Sequence, residues 1–138
     1  MGRYDDLLYT LIKNNLRSGL EKSVESHIEE QKQSYFGMPD DYIDFVKEIG
    51  FGDIGEEYFI LYNGLVEPSN IYDVDKARRL RDIVFIGDDY KGCCLGFETY
   101  GKWELIEVDS EEKIIFLNTS FEEYMRKKIT VLHEFLKV

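Results

Sequence analysis

The sequence predicts an α+β domain, a single mostly antiparallel sheet wrapped by helices. Apolar residues first recur at helical spacing over the opening 50 positions. They then fall into short β-like runs punctuated by Gly and Asp, and return to helical spacing after a capped start near residue 120. Helices, then a compact set of strands, then one closing helix imply an antiparallel sheet rather than a βαβ succession.

In chain order, Tyr4, Leu7, Leu8 and Leu11 form the first helical stripe, with Asp5 and Asp6 at the positive end of the dipole. A weaker helix spans 23–35, with Val24, Ile28 and Tyr35 on one side. Pro39 starts the next helix, whose stripe is Tyr42, Phe45, Val46 and Ile49 and whose stop is Gly50. A strand over 57–62 ends at the turn pair Asn63-Gly64, and a basic helical turn covers 76–81. Strands follow at 83–86, 93–97, 103–108 and 114–117. Ser120 and Glu123 form a capping box for the last helix, with Phe121, Tyr124, Met125, Ile129, Leu132, Phe135 and Leu136 as its stripe.

The 138 residues suit one domain, and 43% apolar content suffices for a core. No apolar run reaches the ~20 residues of a spanning helix, and the start Met1-Gly2-Arg3-Tyr4-Asp5-Asp6 lacks the features of a secretory signal. Cys93 and Cys94 are adjacent and point to opposite faces of a strand, so free thiols in a reducing cytoplasm are expected. Net charge is −11, and the excess is confined to residues 38–112, with 19 acids against 7 bases. Such a field repels nucleic acid and anionic membrane and attracts basic proteins; an acidic surface also serves solubility alone.

Known site chemistries find little support. His27 and His133 lack the i, i+4 partner of a metal pair, and neither a Gly-x-Ser-x-Gly elbow nor a phosphate-binding glycine loop is present. Asp73-x-Asp75 lacks the later ligands of a calcium loop. Cys93 and Cys94 in a β run read as structural thiols rather than nucleophiles. The basic residues Lys76, Arg78, Arg79 and Arg81 read as a solvated face paired with Asp73, Asp75 and Asp82, against the alternative of a phosphate or RNA patch. Trp103 reads as a partly buried strand residue. Neither catalytic residue, cofactor nor metal is expected.

The order of motifs resembles the SUKH superfamily of Smi/Knr-type domains. Met38-Pro39-Asp40-Asp41-Tyr42-Ile43-Asp44-Phe45 is similar to its Leu-Pro-x-x-Tyr-x-x-Phe helix start. Residues 83–97, Ile-Val-Phe-Ile-Gly-Asp-Asp-Tyr-Lys-Gly-Cys-Cys-Leu-Gly-Phe, resemble its strand-turn-strand with Gly-x-Asp-x-x-Gly. Ser120-Phe121-Glu122-Glu123-Tyr124-Met125 resembles its closing helix. Met38 stands in place of the usual Leu, and Gly50-Phe51-Gly52-Asp53-Ile54-Gly55 in place of the family's Asn-Gly-Gly. The resemblance covers about residues 23–137 and implies one domain over 1–138, with 1–20 as an N-terminal helical addition.

It also implies a function. Bacterial members are commonly cytoplasmic immunity proteins that neutralise a toxin domain, often a nuclease, of contact-dependent or polymorphic systems. The alternative is a regulatory protein-binding scaffold, as in some eukaryotic relatives. The expected partner is therefore a basic, nuclease-like toxin domain, not nucleic acid or membrane. The residues expected to meet it are the acidic groups Asp53, Glu56 and Glu57; Asp88 and Asp89; and Asp109, Glu111 and Glu112.

Overall fold

The amphipathic stripes and turn residues organise seven strands and five α-helices among the described residues of this computed structural model. It describes residues 2–136, with side chains through Glu134; the side chains of Phe135 and Leu136 lie outside that range. The helices are α1 (Asp5–Lys13), α2 (Glu25–Ser34), α3 (Asp40–Glu48), α4 (Val74–Arg79) and α5 (Phe121–Leu136). The strands are β1 (Leu20–Glu21), β2 (Phe51–Ile54), β3 (Phe59–Val66), β4 (Ile83–Asp88), β5 (Cys94–Glu98), β6 (Glu104–Val108) and β7 (Ile114–Phe116). They form one sheet in sequential order, antiparallel at every pairing. None of the described helices is long and apolar enough to cross a membrane.

Strand alternation gives the sheet two apolar faces. Ile54, Phe59, Leu61, Val84, Ile86, Leu95, Phe97 and Leu105 pack under α1, α2, α3 and α5. Phe121 at the start of α5 is the hub, meeting Tyr42 at 5.3 Å and Phe45 at 5.4 Å, both edge to face. Such ring pairs contribute about 0.5–1.5 kcal/mol beyond their area. Tyr4, Leu7 and Leu11 are buried in the same cluster, so the first helix is part of the core. On the other face Ile83, Phe85, Cys94, Ile106 and Val108 meet Ile71 and Tyr72, which follow a 3-10 turn at Pro68–Asn70, and Leu80, which follows α4.

Helix starts follow the expected chemistry with one revision. Asp73 caps α4, its Oδ1 accepting from Lys76 N at 2.9 Å, and Ser120 Oγ accepts from Glu123 N at 3.1 Å. The Glu123 carboxylate takes a hydrogen bond from Thr119 Oγ1 at 3.5 Å. The paired runs at 83–86 and 93–97 form the expected hairpin, with Val84 opposite Phe97 and Asp88 opposite Cys94.

One expectation changes, and one unassigned segment is placed. Asn63-Gly64 does not end a strand; β3 continues to Val66 through a register shift between Leu61 and Val66. Gly64 has φ of 103°, and a Cβ there would lie 2.8 Å from His27 Nε2, so the glycine admits α2 rather than making a turn. The segment 50–55, to which the sequence assigns no element, is largely strand. Its residues 51–54 are β2, held between β1 and β3, and a Cβ on Gly52 would meet Gly19 O at 2.2 Å.

Candidate functional site

An antiparallel meander in strict sequence order places alternate turns at the same end of the sheet. The β2–β3, β4–β5 and β6–β7 turns are therefore neighbours, and they carry the three predicted acidic groups. Tyr90 OH donates to Asp53 Oδ1 at 2.6 Å, joining the second turn to the first. A Cβ on Gly92 would lie 3.4 Å from Ser110 Cβ, which puts the second turn against the third. The expected residues Asp53, Glu56, Glu57, Asp88, Asp89, Asp109, Glu111 and Glu112 thus share one end, with only Lys91 and Lys113 as bases within the turns.

The carboxylates divide into two kinds. The four aspartates build the turns. Asp53 Oδ1 accepts from Glu57 N at 2.8 Å, and Asp88 Oδ1 accepts from Tyr90 N at 2.8 Å. Asp89 Oδ1 accepts from Lys91 N and Cys93 N at 2.8 and 3.1 Å. Asp109 Oδ1 accepts from Glu111 N and Lys113 N, both at 2.9 Å. Short acidic side chains suit this role because they reach their own backbone two to four residues on. Asp88 Oδ2 also takes the Tyr62 hydroxyl at 2.5 Å.

The glutamates project. Glu56, Glu57 and Glu111 are exposed and make no side-chain hydrogen bond or ion pair among the described residues. Glu112 pairs with Arg79 of α4 at 2.5 Å. Glu56, Glu57 and Glu112 have φ of 53°, 72° and 66°, the left-handed region where a side chain costs about 1 kcal/mol or more relative to Gly. Charge is therefore held at tips where Asn or Gly would fit the backbone better.

The remaining candidates take structural places. Cys94 is buried and Cys93 half-buried. Desolvation, then the nearby Glu107 and Asp89 carboxylates, pushes the Cys93 thiol up to about 11. Burial also raises Cys94, although Tyr72 OH donates to its Sγ at 3.3 Å. Both shifts oppose thiolate formation. The basic turn does not pair as expected: Asp73 caps α4, Arg79 reaches Glu112 across to the third turn, and Lys76 Nζ stacks 4.2 Å from the Tyr72 ring. His27 lies 3.0 Å from Asn63 O, and the described residues hold no group of three or more His, Cys, Asp or Glu side chains arranged for a metal ion. Trp103 is half-buried against Phe97 and Tyr35 at 5.8 and 6.1 Å.

Sequence reasoning missed one feature of this end. The strand next to the third turn, β7, is the outer edge of the sheet, and its Ile114, Ile115 and Phe116 are 42%, 39% and 45% exposed. The available signal was an uncharged apolar triplet directly after an acidic turn. Comparison with protein family models, with curated proteins and with solved structures finds no match for this chain.

Proposed function

We propose that the chain is a non-enzymatic immunity protein of the SUKH type, which binds and neutralises a basic, nuclease-like toxin domain in the cytoplasm. The observation that supports this most is the gathering of three acidic turns on one end, with Glu56, Glu57 and Glu111 projecting. A nuclease must present a basic groove to hold its polyanionic substrate, and a rigid acidic surface complements it. Complementary fields raise association toward about 10⁸–10⁹ M⁻¹s⁻¹ at low salt, which suits a protein that must capture a toxin on first contact. Burial holds the thiols of Cys93 and Cys94 protonated, which counts against these two residues as nucleophiles.

The test uses the product of the adjacent gene. Its toxic domain is expressed alone and with this chain, and association is followed by stopped flow at low and moderate salt. Reversing Glu56 and Glu57 to Lys, or Glu111 to Lys, should slow association about tenfold at low salt and reduce its salt sensitivity. A parent chain that gives no protection, or binds a non-toxic neighbour instead, transfers the reading to a regulatory scaffold. Variants that protect cells like the parent remove the electrostatic part.

A further inference from the structure

The two edges of the sheet are managed differently. β1 is two residues long, its Leu20 is buried, and Arg17 donates to Leu20 O at 2.5 Å. Short length and a neighbouring cation are ordinary protections against strand addition. β7 is also short, at three residues, and follows Lys113, but it differs in that all three of its side chains are apolar and exposed and it has neither proline nor an inward charge.

The backbone of β7 shows which groups are open. Leu117 N donates to Leu105 O at 3.1 Å, and Asp109 N donates to Lys113 O at 3.1 Å. Hydrogen-bonded pairs alternate along an antiparallel ladder, so residues 113, 115 and 117 turn their backbone groups toward β6. Ile114 and Phe116 lie opposite Val108 and Ile106 in the intervening non-bonded pairs. Their N–H and C=O groups therefore face away from the sheet, offering two donors and two acceptors at strand spacing.

Charge indicates the occupant. Residues 104–116 carry Glu104, Glu107, Asp109, Glu111 and Glu112 against Lys113 alone. A second copy, itself at net charge −11, would bring a like-charged segment alongside the first. We infer that β7 is a strand-addition site for an extended segment of a partner protein in which apolar residues alternate with Lys or Arg. Its backbone pairs with Ile114 and Phe116, and its cations face Glu104 and Glu111, whose carboxylates make no hydrogen bond or ion pair among the described residues. This rests on the reading of the chain as a binder of a basic protein and names the part of the partner that it grips.

The experiment uses the full chain and, as probe, a capped Lys-Val-Lys-Val-Lys-Val peptide, with the Glu-Val-Glu-Val-Glu-Val peptide as control. Amide hydrogen exchange is read by NMR. The Lys peptide should slow exchange at Ile114 and Phe116 by at least about tenfold, leaving the inward amides of Ile115 and Leu117 unchanged, and the Glu peptide should not. Phe116→Pro removes an outward N–H without touching the β6 ladder, so it should abolish the effect while the protein stays folded. Ile114→Lys is the second variant, leaving the backbone groups in place and adding like charge to the probe; it should weaken binding about tenfold.

Shifts confined to the turns, with exchange at Ile114 and Phe116 unaffected, overturn the inference. So does protection of these amides without probe together with a dimer in sedimentation, which makes a second copy the occupant. With the toxin domain as ligand, full protection of cells by the Phe116→Pro variant rejects β7 while the immunity reading stands. Failure of the parent to protect rejects that reading, and the peptide experiment still decides the edge.

Discussion

Charged side chains are dense in two parts of this molecule and are used in opposite ways. Where the N-terminal segment, α3 and α5 meet, Asp6, Asp44 and Glu122 each face an arginine from another element, and Glu48 and Asp41 accept backbone N–H groups from one. Arg3 binds Asp44 at 2.9 Å and Glu122 at 3.0 Å; Arg126 binds Glu122 at 2.9 Å and Asp6 at 2.8 Å and donates to Arg3 O at 2.9 Å. At the strand turns the aspartates bind their own backbone, and the projecting glutamates face water. Charge at the seam joins elements distant in sequence. At the turns it sets local geometry and leaves a surplus of carboxylates with no cation of the fold to meet.

Breaking the seam should have the largest effect. Arg126 joins α5 to α1 and to the N-terminal segment, and its guanidinium lies 5.4 Å from the Tyr4 ring. Arg126→Ala removes a partly buried network and its packing, and should lower stability by about 1–2 kcal/mol in urea unfolding. The seam also predicts a pH dependence. The Arg126 hydrogen bond, with a second from Arg3, holds Glu122 below its ordinary 4.5, and Arg126 likewise holds Asp6 below 3.8. A depressed carboxylate contributes stability that is present above its unfolded pKa and lost as pH falls through the folded one. Stability should therefore fall below about pH 4.5, and the Arg126→Ala variant should show a shallower fall over that window.

Within the turns, Asp109 should behave as a structural residue despite its exposed setting. Asp109→Ala leaves the N–H groups of Glu111 and Lys113 without their acceptor and should lower stability by about 1 kcal/mol. Asp109→Asn keeps the acceptor and should restore most of the loss, measured by the same urea midpoint.

The first turn should respond with the opposite sign. Gly55, Glu56 and Glu57 all have positive φ, at 74°, 53° and 72°. Replacing Glu56 and Glu57 by Asn-Gly, the pair best suited to this backbone, should raise stability by about 1 kcal/mol in thermal unfolding. The same variant should associate more slowly with a basic partner. A gain in both properties would show that the glutamates have no binding role.

These contrasts mark what the sequence could and could not reveal. α3 and α5 were legible because their apolar positions repeat at helical spacing behind Pro39 and Ser120, and the β4–β5 hairpin because Gly87 and Gly92 bracket its turn. β1 and β2 were not, since a two-residue strand has no period and Phe51-Gly52-Asp53-Ile54 shows no strand alternation, its Gly52 being required only by the close approach of Gly19. Asn63-Gly64 misled because the same dipeptide serves a turn and a close helix approach. The acidic excess was visible in composition, but its convergence depends on strand order. The outward parity of Ile114 and Phe116 depends on register, which no local pattern encodes.

The smallest expected effect is the sharpest test of the division between the two kinds of acid. Glu111 lies two residues from Asp109, carries the same formal charge and contributes only its backbone N–H to the turn. Its side chain is exposed and makes no hydrogen bond or ion pair among the described residues. Glu111→Lys should therefore leave the urea midpoint within about 0.5 kcal/mol of the parent, even though it changes net charge by two. Relief of repulsion from Glu112 and Asp109 makes a small gain the expected direction rather than a loss. A loss comparable to that of Asp109→Ala would mean that charge at this end holds the turn together. The surplus would then belong to the fold as it does at the seam, and the acidic end would have no claim to a partner.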